Sequence, residues 1–172
     1  MNTAWVGVIA ALGGAAIGAS VTIVQMVLGH FRDRDKRLDS LLVTALTFLA
    51  GNETERSCGV SMIEGVFAER KSYANVLVPA LTSQAVQLLL HTTASESRTE
   101  FYNWLRIMEL LEHFFSEFKI IGNYYGEIGN AFLVKVSPDH TGGLNIPLET
   151  LKPWAARYSM DLDAEASAYA TA

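Results

Sequence analysis

The feature that most constrains this chain is an apolar run near its N-terminus. Ala4 to Gly29 is a run of 26 residues without an ionisable side chain, and an α-helix needs only about 20 to cross the ~30 Å core of a bilayer. A secretory signal peptide usually has a basic start and a shorter apolar core, whereas no Lys or Arg precedes this run. A buried helix of a globular protein is the remaining alternative. We predict a transmembrane helix within residues 1–31.

Basic residues mark the C-terminal side of the predicted span. The segment RDRDKR supplies Arg32, Arg34, Lys36 and Arg37, and positive charge beside a span favours the cytoplasmic side. We therefore expect a single-pass protein of a bacterial inner (plasma) membrane, with its N-terminus outside and its domain in the cytoplasm.

Small residues recur along one face of the predicted span. Ala10, Gly14, Gly18 and Thr22 follow one another at intervals of four, a GxxxG-like pattern that lets two helix backbones approach closely. Besides contact with the lipid bilayer, the pattern predicts a homo-oligomer or a membrane partner protein. Because Gly and Ala are common in transmembrane helices, a chance occurrence is the alternative.

The chain beyond the span is acidic. Of its 13 basic and 18 acidic residues, four basic and two acidic lie in RDRDKR, which leaves seven excess negative charges elsewhere. Nucleic-acid binding relies on clustered Lys and Arg, so we expect no nucleic-acid partner. The single cysteine, Cys58, excludes an intrachain disulfide and a multi-cysteine metal site.

The pattern after the span predicts a mainly all-α fold, a helical hairpin or bundle domain over residues 32–160, with a flexible acidic tail at 161–172. Leucines at helical spacing predict a helix that continues from the span through Leu49. Asn52 and Glu55 have the spacing of a capping box, which predicts a second helix from residue 53 to about residue 71.

Two glycines interrupt the second predicted helix. Gly59 and Gly65 each cost roughly 1 kcal/mol relative to Ala in a helix interior. A close helix crossing would explain both. A ligand that approaches the backbone is the alternative.

Two longer helices are predicted next. The third begins in the segment from Tyr73 to Leu90, and Pro79 suits a first helical turn. Ser97 and Glu100 repeat the capping-box spacing immediately before a strongly amphipathic helix. The apolar face of that helix is expected to be core rather than a binding surface; it consists of Phe101, Trp104, Leu105, Met108, Leu111, Phe115 and Phe118.

The pattern weakens over residues 120–136. Three glycines and the run from Phe132 to Val136 are compatible with a short β-hairpin, but a ragged helical continuation is equally compatible. After a polar loop, Pro147 and Pro153 are placed where two short helices would start.

No motif predicts catalysis. Glu109 and His113 share a helix face and could supply half of a metal site. Two ligands do not make a complete site, because zinc needs three or four. Arg56 could lower the pKa of Cys58, although a small core residue is the more ordinary interpretation of this cysteine. We expect no catalytic residues, no metal and no cofactor, while an enzyme site assembled in space stays open.

Three stretches resemble a group of uncharacterised bacterial proteins that have one N-terminal span. They are LLVTALTFLAGNETERSCGVSMIEGVF, VLVPALTSQAVQLLL and NWLRIMELLEHF. The resemblance covers about residues 38–115 and implies a helical cytoplasmic domain. It implies no activity, and it transfers no functional residues.

Three function hypotheses follow. The first is a membrane-anchored interaction or scaffold protein that self-associates through the small-residue face of its span. The second is a membrane-perturbing or pore-forming effector of phage or defence type, in which the span itself acts. The third is a membrane-bound enzyme whose site has no sequence signature.

Overall fold

The computed structural model describes residues 35–118 and 123–164. The chain divides into two compact units, Met1–Val43 and Thr44–Ala172. Of the first unit only residues 35–43 are described, and they are helical. The predicted span at 1–31 and its small-residue face lie outside the described residues, so the transmembrane helix stays a prediction.

Every regular element in the described residues is helical. Helix α1 covers residues 35–49, in agreement with the helix predicted through Leu49. The elements after it are α2 (Glu53–Met62), a π-helical turn (Ile63–Phe67), α3 (Lys71–His91), α4 (Arg98–Phe118), α5 (Asn123–Val136) and α6 (Leu148–Arg157). The mainly all-α prediction is confirmed for this part of the chain.

The capping box predicted at the start of α2 is confirmed. The Asn52 Oδ1 accepts hydrogen bonds from the backbone N–H groups of Thr54 at 3.0 Å and Glu55 at 3.1 Å. In return, the backbone N–H of Asn52 donates to Glu55 Oε2 at 2.9 Å. These bonds satisfy backbone groups that the first helical turn leaves without partners.

The two glycines of the second predicted helix have different surroundings. A Cβ at Gly59 would lie 2.6 Å from the backbone nitrogen of Leu49 and 2.8 Å from the carbonyl oxygen of Ala45. The close crossing is therefore confirmed at Gly59, where α2 packs backbone to backbone against residues 45–49, the part of α1 that belongs to the second unit. Gly65 is exposed and has open space around it, so the crossing prediction is wrong there.

Helix α3 is the core helix of the second unit. It packs against α4 and α5, and nine of its residues are buried: Ala74, Leu77, Val78, Leu81, Thr82, Ala85, Leu88, Leu89 and Leu90. Among the described residues it is the one helix long and apolar enough to cross a bilayer by length and composition, and half of its apolar window is buried inside the protein. Burial against two neighbouring helices explains the apolar composition without a membrane.

Two proline predictions need correction. Pro79 lies inside α3 instead of in its first turn, because the helix begins eight residues earlier, at Lys71. Pro147 does precede a helix, but Pro153 lies inside that same helix, α6. Trp154 and Ala155 are buried in the turn after Pro153, and this packing favours one continuous helix over two.

The β-hairpin predicted near 120–136 is wrong over the described part of that range. Residues Asn123–Val136 form α5, so the helical alternative holds there, while residues 120–122 lie outside the described residues. Ile128, Ala131 and Phe132 are buried at spacings of three and four residues, which is the periodicity of a helix face. This face packs on α3, and that packing outweighs the β-propensity of residues 132–136.

The loop after α5 closes the C-terminal end of α3. The backbone N–H of Leu144 donates to the carbonyl oxygen of Leu88 at 3.0 Å, and a Cβ at Gly143 would collide with the Leu89 carbonyl. Gly143 also has a φ of +68°, which glycine adopts without steric cost. The double-glycine segment therefore lets the loop lie directly against the helix end.

The first residues of the predicted acidic tail lie within the described part. Leu162 is buried, and Lys152 Nζ lies 2.9 Å from Asp163 Oδ1. Residues 161–164 thus pack on the helical unit, and the remainder of the tail lies outside the described residues.

Candidate functional site

The site residues predicted from the sequence lie at the edge of the described part of the chain or beyond it. Ala10, Gly14, Gly18 and Thr22 are outside it, as are Arg32 and Arg34. Lys36 and Arg37 are described, and both are exposed at the start of α1. The sidedness of the span and its packing face remain predictions.

A cleft of about 760 Å³ lies among α4, α5 and the end of α6. This volume is within the roughly 300–1,000 Å³ typical of small-molecule sites. Its walls combine aromatic rings with carboxylates and a guanidinium group. The residues that line it are Glu109, Glu112, His113, Phe115, Ser116, Tyr125, Arg157 and Tyr158.

Three aromatic rings form one wall of the cleft. The Tyr125 and Tyr158 ring centroids are 4.7 Å apart, and Phe115 packs edge-on against Tyr125 at 5.8 Å and against Tyr158 at 6.3 Å. Phe115 is only partly buried. The prediction that the α4 aromatic stripe is core therefore holds for the buried Trp104, whereas Phe115 contributes to the cleft.

An ion pair forms the charged rim of the cleft. Arg157 Nη1 donates to Glu112 Oε2, and the guanidinium lies 4.5 Å from the centre of the Trp154 ring, in cation–π geometry. The Tyr125 hydroxyl donates to the backbone carbonyl of Arg157, which fixes the end of α6 against α5. Because the Arg157 side chain is 51% exposed, this pair is open to solvent.

The Tyr158 hydroxyl is buried without a hydrogen-bond partner among the described residues. Its residue is 2% exposed, and burial raises the pKa of this phenol, with the negative charge of Glu112 as a smaller cause. Buried polar groups are normally paired, and an orphaned one costs about 1–3 kcal/mol. Such a group beside a cleft indicates capacity for a further hydrogen bond.

His113 and Ser116 line the cleft without forming a catalytic pair. The His113 Nε2 lies 2.9 Å from the carbonyl oxygen of Ala68, an acceptor that requires this nitrogen to carry the proton. Ser116 Oγ donates to the backbone carbonyl of His113 at 3.2 Å, within its own helix. Neither contact joins a nucleophile to a base, which nucleophilic catalysis requires.

Metal ligation gains no support from the described residues. No group of three or more His, Cys, Asp or Glu side chains is arranged there to hold an ion. Cys58 is exposed, so its interpretation as a small core residue is wrong. The Arg56 guanidinium beside it in sequence is directed to Glu100 instead.

A second polar cluster lies on the other half of α4 and is almost closed to solvent. Arg56 donates to Glu100 Oε1, to the Leu49 carbonyl at 3.1 Å and to the Gly51 carbonyl at 2.8 Å. Asn103 Nδ2 donates to Glu100 Oε2 at 3.1 Å. Glu100 is 4% exposed and Asn103 1%. We refer to Arg56, Glu100 and Asn103 as the buried cluster.

The second predicted capping box is half confirmed by the same contacts. The backbone N–H of Glu100 donates to Ser97 Oγ at 3.2 Å. The Glu100 carboxylate does not return to the backbone of Ser97, because both of its oxygens accept bonds within the buried cluster. The sequence pattern identified the helix start but missed the ion pair.

The cleft was not predicted because its walls come from distant parts of the chain. The cleft forms only when three helices pack and bring together residues 109–116, Tyr125 and Arg157–Tyr158. The signal that was available is the Glu109–His113 face, which does line the cleft, but the sequence indicated it only as an incomplete metal site.

Comparisons with models of known protein families, with curated proteins and with solved structures found no match. The resemblance of residues 38–115 to single-span bacterial proteins therefore stays a prediction.

Proposed function

We propose that this chain is a membrane-anchored helical interaction protein of scaffold type. The observation that carries the proposal is the run from Ala4 to Gly29, which has no ionisable residue and is followed at once by four basic side chains. A segment of this length and composition is typical of a transmembrane helix, and the flanking charge favours a cytoplasmic domain.

The helical unit supplies a surface that suits a partner. The cleft combines a polar rim with aromatic side chains, and aromatic and Arg residues are the types enriched at interaction hot spots. His113 is bonded to a backbone carbonyl and Ser116 to its own helix, which favours binding over catalysis at this site.

Self-association through the span is the second part of the proposal. Ala10, Gly14, Gly18 and Thr22 would form the contact face. Crosslinking in native membranes should give a dimer or higher oligomer, and Gly14→Ile or Gly18→Ile should reduce it. Ala16→Ile is the matched control, because residue 16 lies about 200° around a helix from residue 14. Equal crosslinking in all variants would contradict this contact face.

A reporter fused after Ala172 tests the topology. We expect reporter activity on the cytoplasmic side, and replacement of Arg32, Arg34, Lys36 and Arg37 by Asn should weaken that preference because the flanking positive charge is lost. Activity exclusively on the outer side would overturn the proposed orientation. Recovery of the full chain in the soluble fraction would overturn the anchor itself.

Membrane potential separates the interaction protein from the membrane-perturbing alternative. Cells that express the full chain at the level used for crosslinking should keep their potential. Rapid depolarisation that disappears with Gly14→Ile would instead assign the activity to the span.

A further inference from the structure

We propose that the cleft binds the cationic head of an Arg or Lys side chain from a partner protein, held between the aromatic wall and the carboxylates of α4. This inference rests on the proposed interaction function and specifies the chemistry of its partner.

Negative charge is in excess at the cleft. Glu109 and Glu112 both line it, while Arg157 is the one guanidinium among the described residues of the lining. Arg157 is bonded to Glu112, and the nearby Arg106 is bonded to Glu64 and Ser61 on α2 and the π-helical turn. Glu109 is exposed and acts electrostatically on Arg106, but it forms no ion pair within the part of the chain that the structure describes. A cation is therefore the complementary ligand.

The aromatic wall also favours a cation. Phe115, Tyr125 and Tyr158 lie within 4.7–6.3 Å of one another, centroid to centroid. Ring faces attract guanidinium and ammonium groups through their quadrupoles, and the same rings accommodate the methylene stem of Arg or Lys. The combination matches a basic side chain better than a compact inorganic ion.

The protein already contains one example of this recognition. Arg157 places its guanidinium over the Trp154 ring and against the Glu112 carboxylate, so aromatic face, cation and carboxylate meet at the rim of the cleft. The Arg157 side chain is half exposed, and its ion pair is of the weak, solvent-screened kind. An incoming cation can compete with Arg157 for Glu112 and with the longer-range charge of Arg106 for Glu109.

The buried hydroxyl of Tyr158 is the independent observation. It has no hydrogen-bond partner in the described structure, and the groups that act on it electrostatically are Glu112, Tyr125 and Arg157. All three line the cleft, as does Tyr158 itself. An N–H donor bound there, directly or through one water, supplies the missing partner.

The test measures the binding of a short peptide, with one charged residue among uncharged ones, to the full chain in phosphatidylcholine nanodiscs. These nanodiscs carry no net charge. The probe is acetyl-Ala-Leu-Arg-Leu-Ala-amide, followed by ligand-detected NMR titration, with empty nanodiscs as background. The citrulline peptide, which has the same shape without the charge, should bind at least about tenfold more weakly, as expected for loss of a charge-assisted contact worth roughly 1.4 kcal/mol.

Variants of the cleft sharpen the test. Glu109→Gln should weaken binding about threefold to fivefold, which is the range of an exposed ion pair. Arg157→Gln should strengthen binding by a similar factor, because it removes the internal competitor for Glu112. Glu117→Gln is the matched control, an exposed α4 carboxylate that does not line the cleft, and it should change nothing.

Several outcomes overturn the inference. Equal affinity for the arginine and citrulline peptides, or no effect of Glu109→Gln, removes the cation assignment. Tighter binding of the corresponding glutamate peptide would show that the cleft selects a negative charge, which contradicts the inference. If butylguanidine binds as tightly as the arginine peptide, the cleft is a small-cation site and the partner-protein assignment fails.

The inference and the proposed function fail separately. If the chain binds the peptide but is recovered in the soluble fraction, the membrane anchor is contradicted and the cleft assignment stands. If topology and crosslinking are as expected but no peptide binds, the anchored interaction protein stands and the cation site is contradicted. Circular dichroism of each variant, compared with the parent chain, shows that the fold is retained.

Discussion

Of the three Arg–Glu pairs that join α4 to distant segments in the described structure, two, Arg56–Glu100 and Arg157–Glu112, share their chemistry and differ in almost everything else. Arg56 reaches Glu100 across 44 residues of sequence, and Arg157 reaches Glu112 across 45. The first pair has side chains 12% and 5% exposed, and the second has side chains 51% and 34% exposed. The first pair is buried within the fold, and the second borders the cleft and is open to solvent.

Saturation of hydrogen-bonding capacity explains the difference. Arg56 donates to two backbone carbonyls, to Gln84 and to Glu100, while Asn103 bridges Glu100 to the backbone of Glu53. Around Arg157, by contrast, Glu109 acts on Arg106 only through its charge, and the Tyr158 hydroxyl has no hydrogen-bond partner among the described residues. A saturated polar cluster specifies structure, whereas an unsaturated one beside a cleft can accept a ligand.

Breaking the buried pair should give the largest effect on stability. We expect Glu100→Ala to lower the free energy of unfolding by about 3–5 kcal/mol, because it leaves the Arg56 guanidinium buried without its counter-charge. Denaturant unfolding of the purified chain, followed by circular dichroism, measures this loss. The double variant Arg56→Met with Glu100→Leu should recover most of it, since no uncompensated charge remains. A loss below about 1 kcal/mol for Glu100→Ala would place this pair in the same class as the exposed one.

Removing the amide that bridges the buried cluster should cost less. Asn103→Ala deletes the donor to Glu100 and to the Glu53 carbonyl, together with the acceptor for the Ser57 hydroxyl. Leaving those groups unpaired should cost about 2 kcal/mol. Asn130→Ala, at an exposed position on α5, is the control and should stay within about 0.5 kcal/mol of the parent chain. Equal losses in the two variants would show that the bridge is energetically unimportant.

The sequence predicted local structure well and the pairing of distant side chains poorly. The Asn52 capping box and the amphipathic α4 are encoded within a few residues, so periodicity and spacing suffice to find them. Glu100 was assigned to a cap because its spacing from Ser97 fits one, and nothing local indicates that Arg56, 44 residues earlier, takes its carboxylate. Tertiary contacts decide between two uses of the same side chain.

The hairpin prediction failed for a related reason. Residues 132–136 are bulky and include β-branched valines, a composition that also suits a strand. What decides the matter is the burial of Ile128, Ala131 and Phe132 against α3, a contact that a single sequence does not display. Cys58 and Gly59 also depend on tertiary packing that the sequence does not display. The glycine lies at the helix crossing, while the neighbouring cysteine faces solvent.

The unpartnered hydroxyl of the cleft should make its region less stable than it could be. Tyr158→Phe removes a buried polar atom that has no hydrogen-bond partner among residues 35–118 and 123–164, and we expect the free energy of unfolding to rise by about 1 kcal/mol. Asn103→Ala, in contrast, should lower it, so the two regions respond with opposite signs to loss of a polar group. Tyr102→Phe, at an exposed position of α4, is the control. A clear loss of stability in Tyr158→Phe would mean that the hydroxyl has a structural partner.

The same substitution should change the response to alkaline pH. Burial raises the pKa of Tyr158, so the folded chain keeps the phenol proton in a range above about pH 10 where the unfolded chain loses it. The folded state then binds more protons than the unfolded state, and stability falls as pH rises through that range, with no effect below it. Lys135 and Lys152 also have shifted pKa values, so the test is the difference between the parent chain and Tyr158→Phe, which should lose one source of the alkaline decline. Identical pH profiles would contradict this assignment.

The exposed pair should give the smallest effect and the one most sensitive to salt. A double-mutant cycle of Glu112→Gln and Arg157→Gln should yield a coupling energy below about 1 kcal/mol at low ionic strength. At 1 M salt, where the Debye length is only about 3 Å, the coupling should nearly vanish. The corresponding cycle on Arg56 and Glu100 should change little with salt, because ions do not enter a site that is closed to solvent. If the coupling between Glu112 and Arg157 were large and independent of salt, Arg157 would be a fixed structural element, unable to yield Glu112 to an incoming cation, and the cleft would belong with the buried cluster.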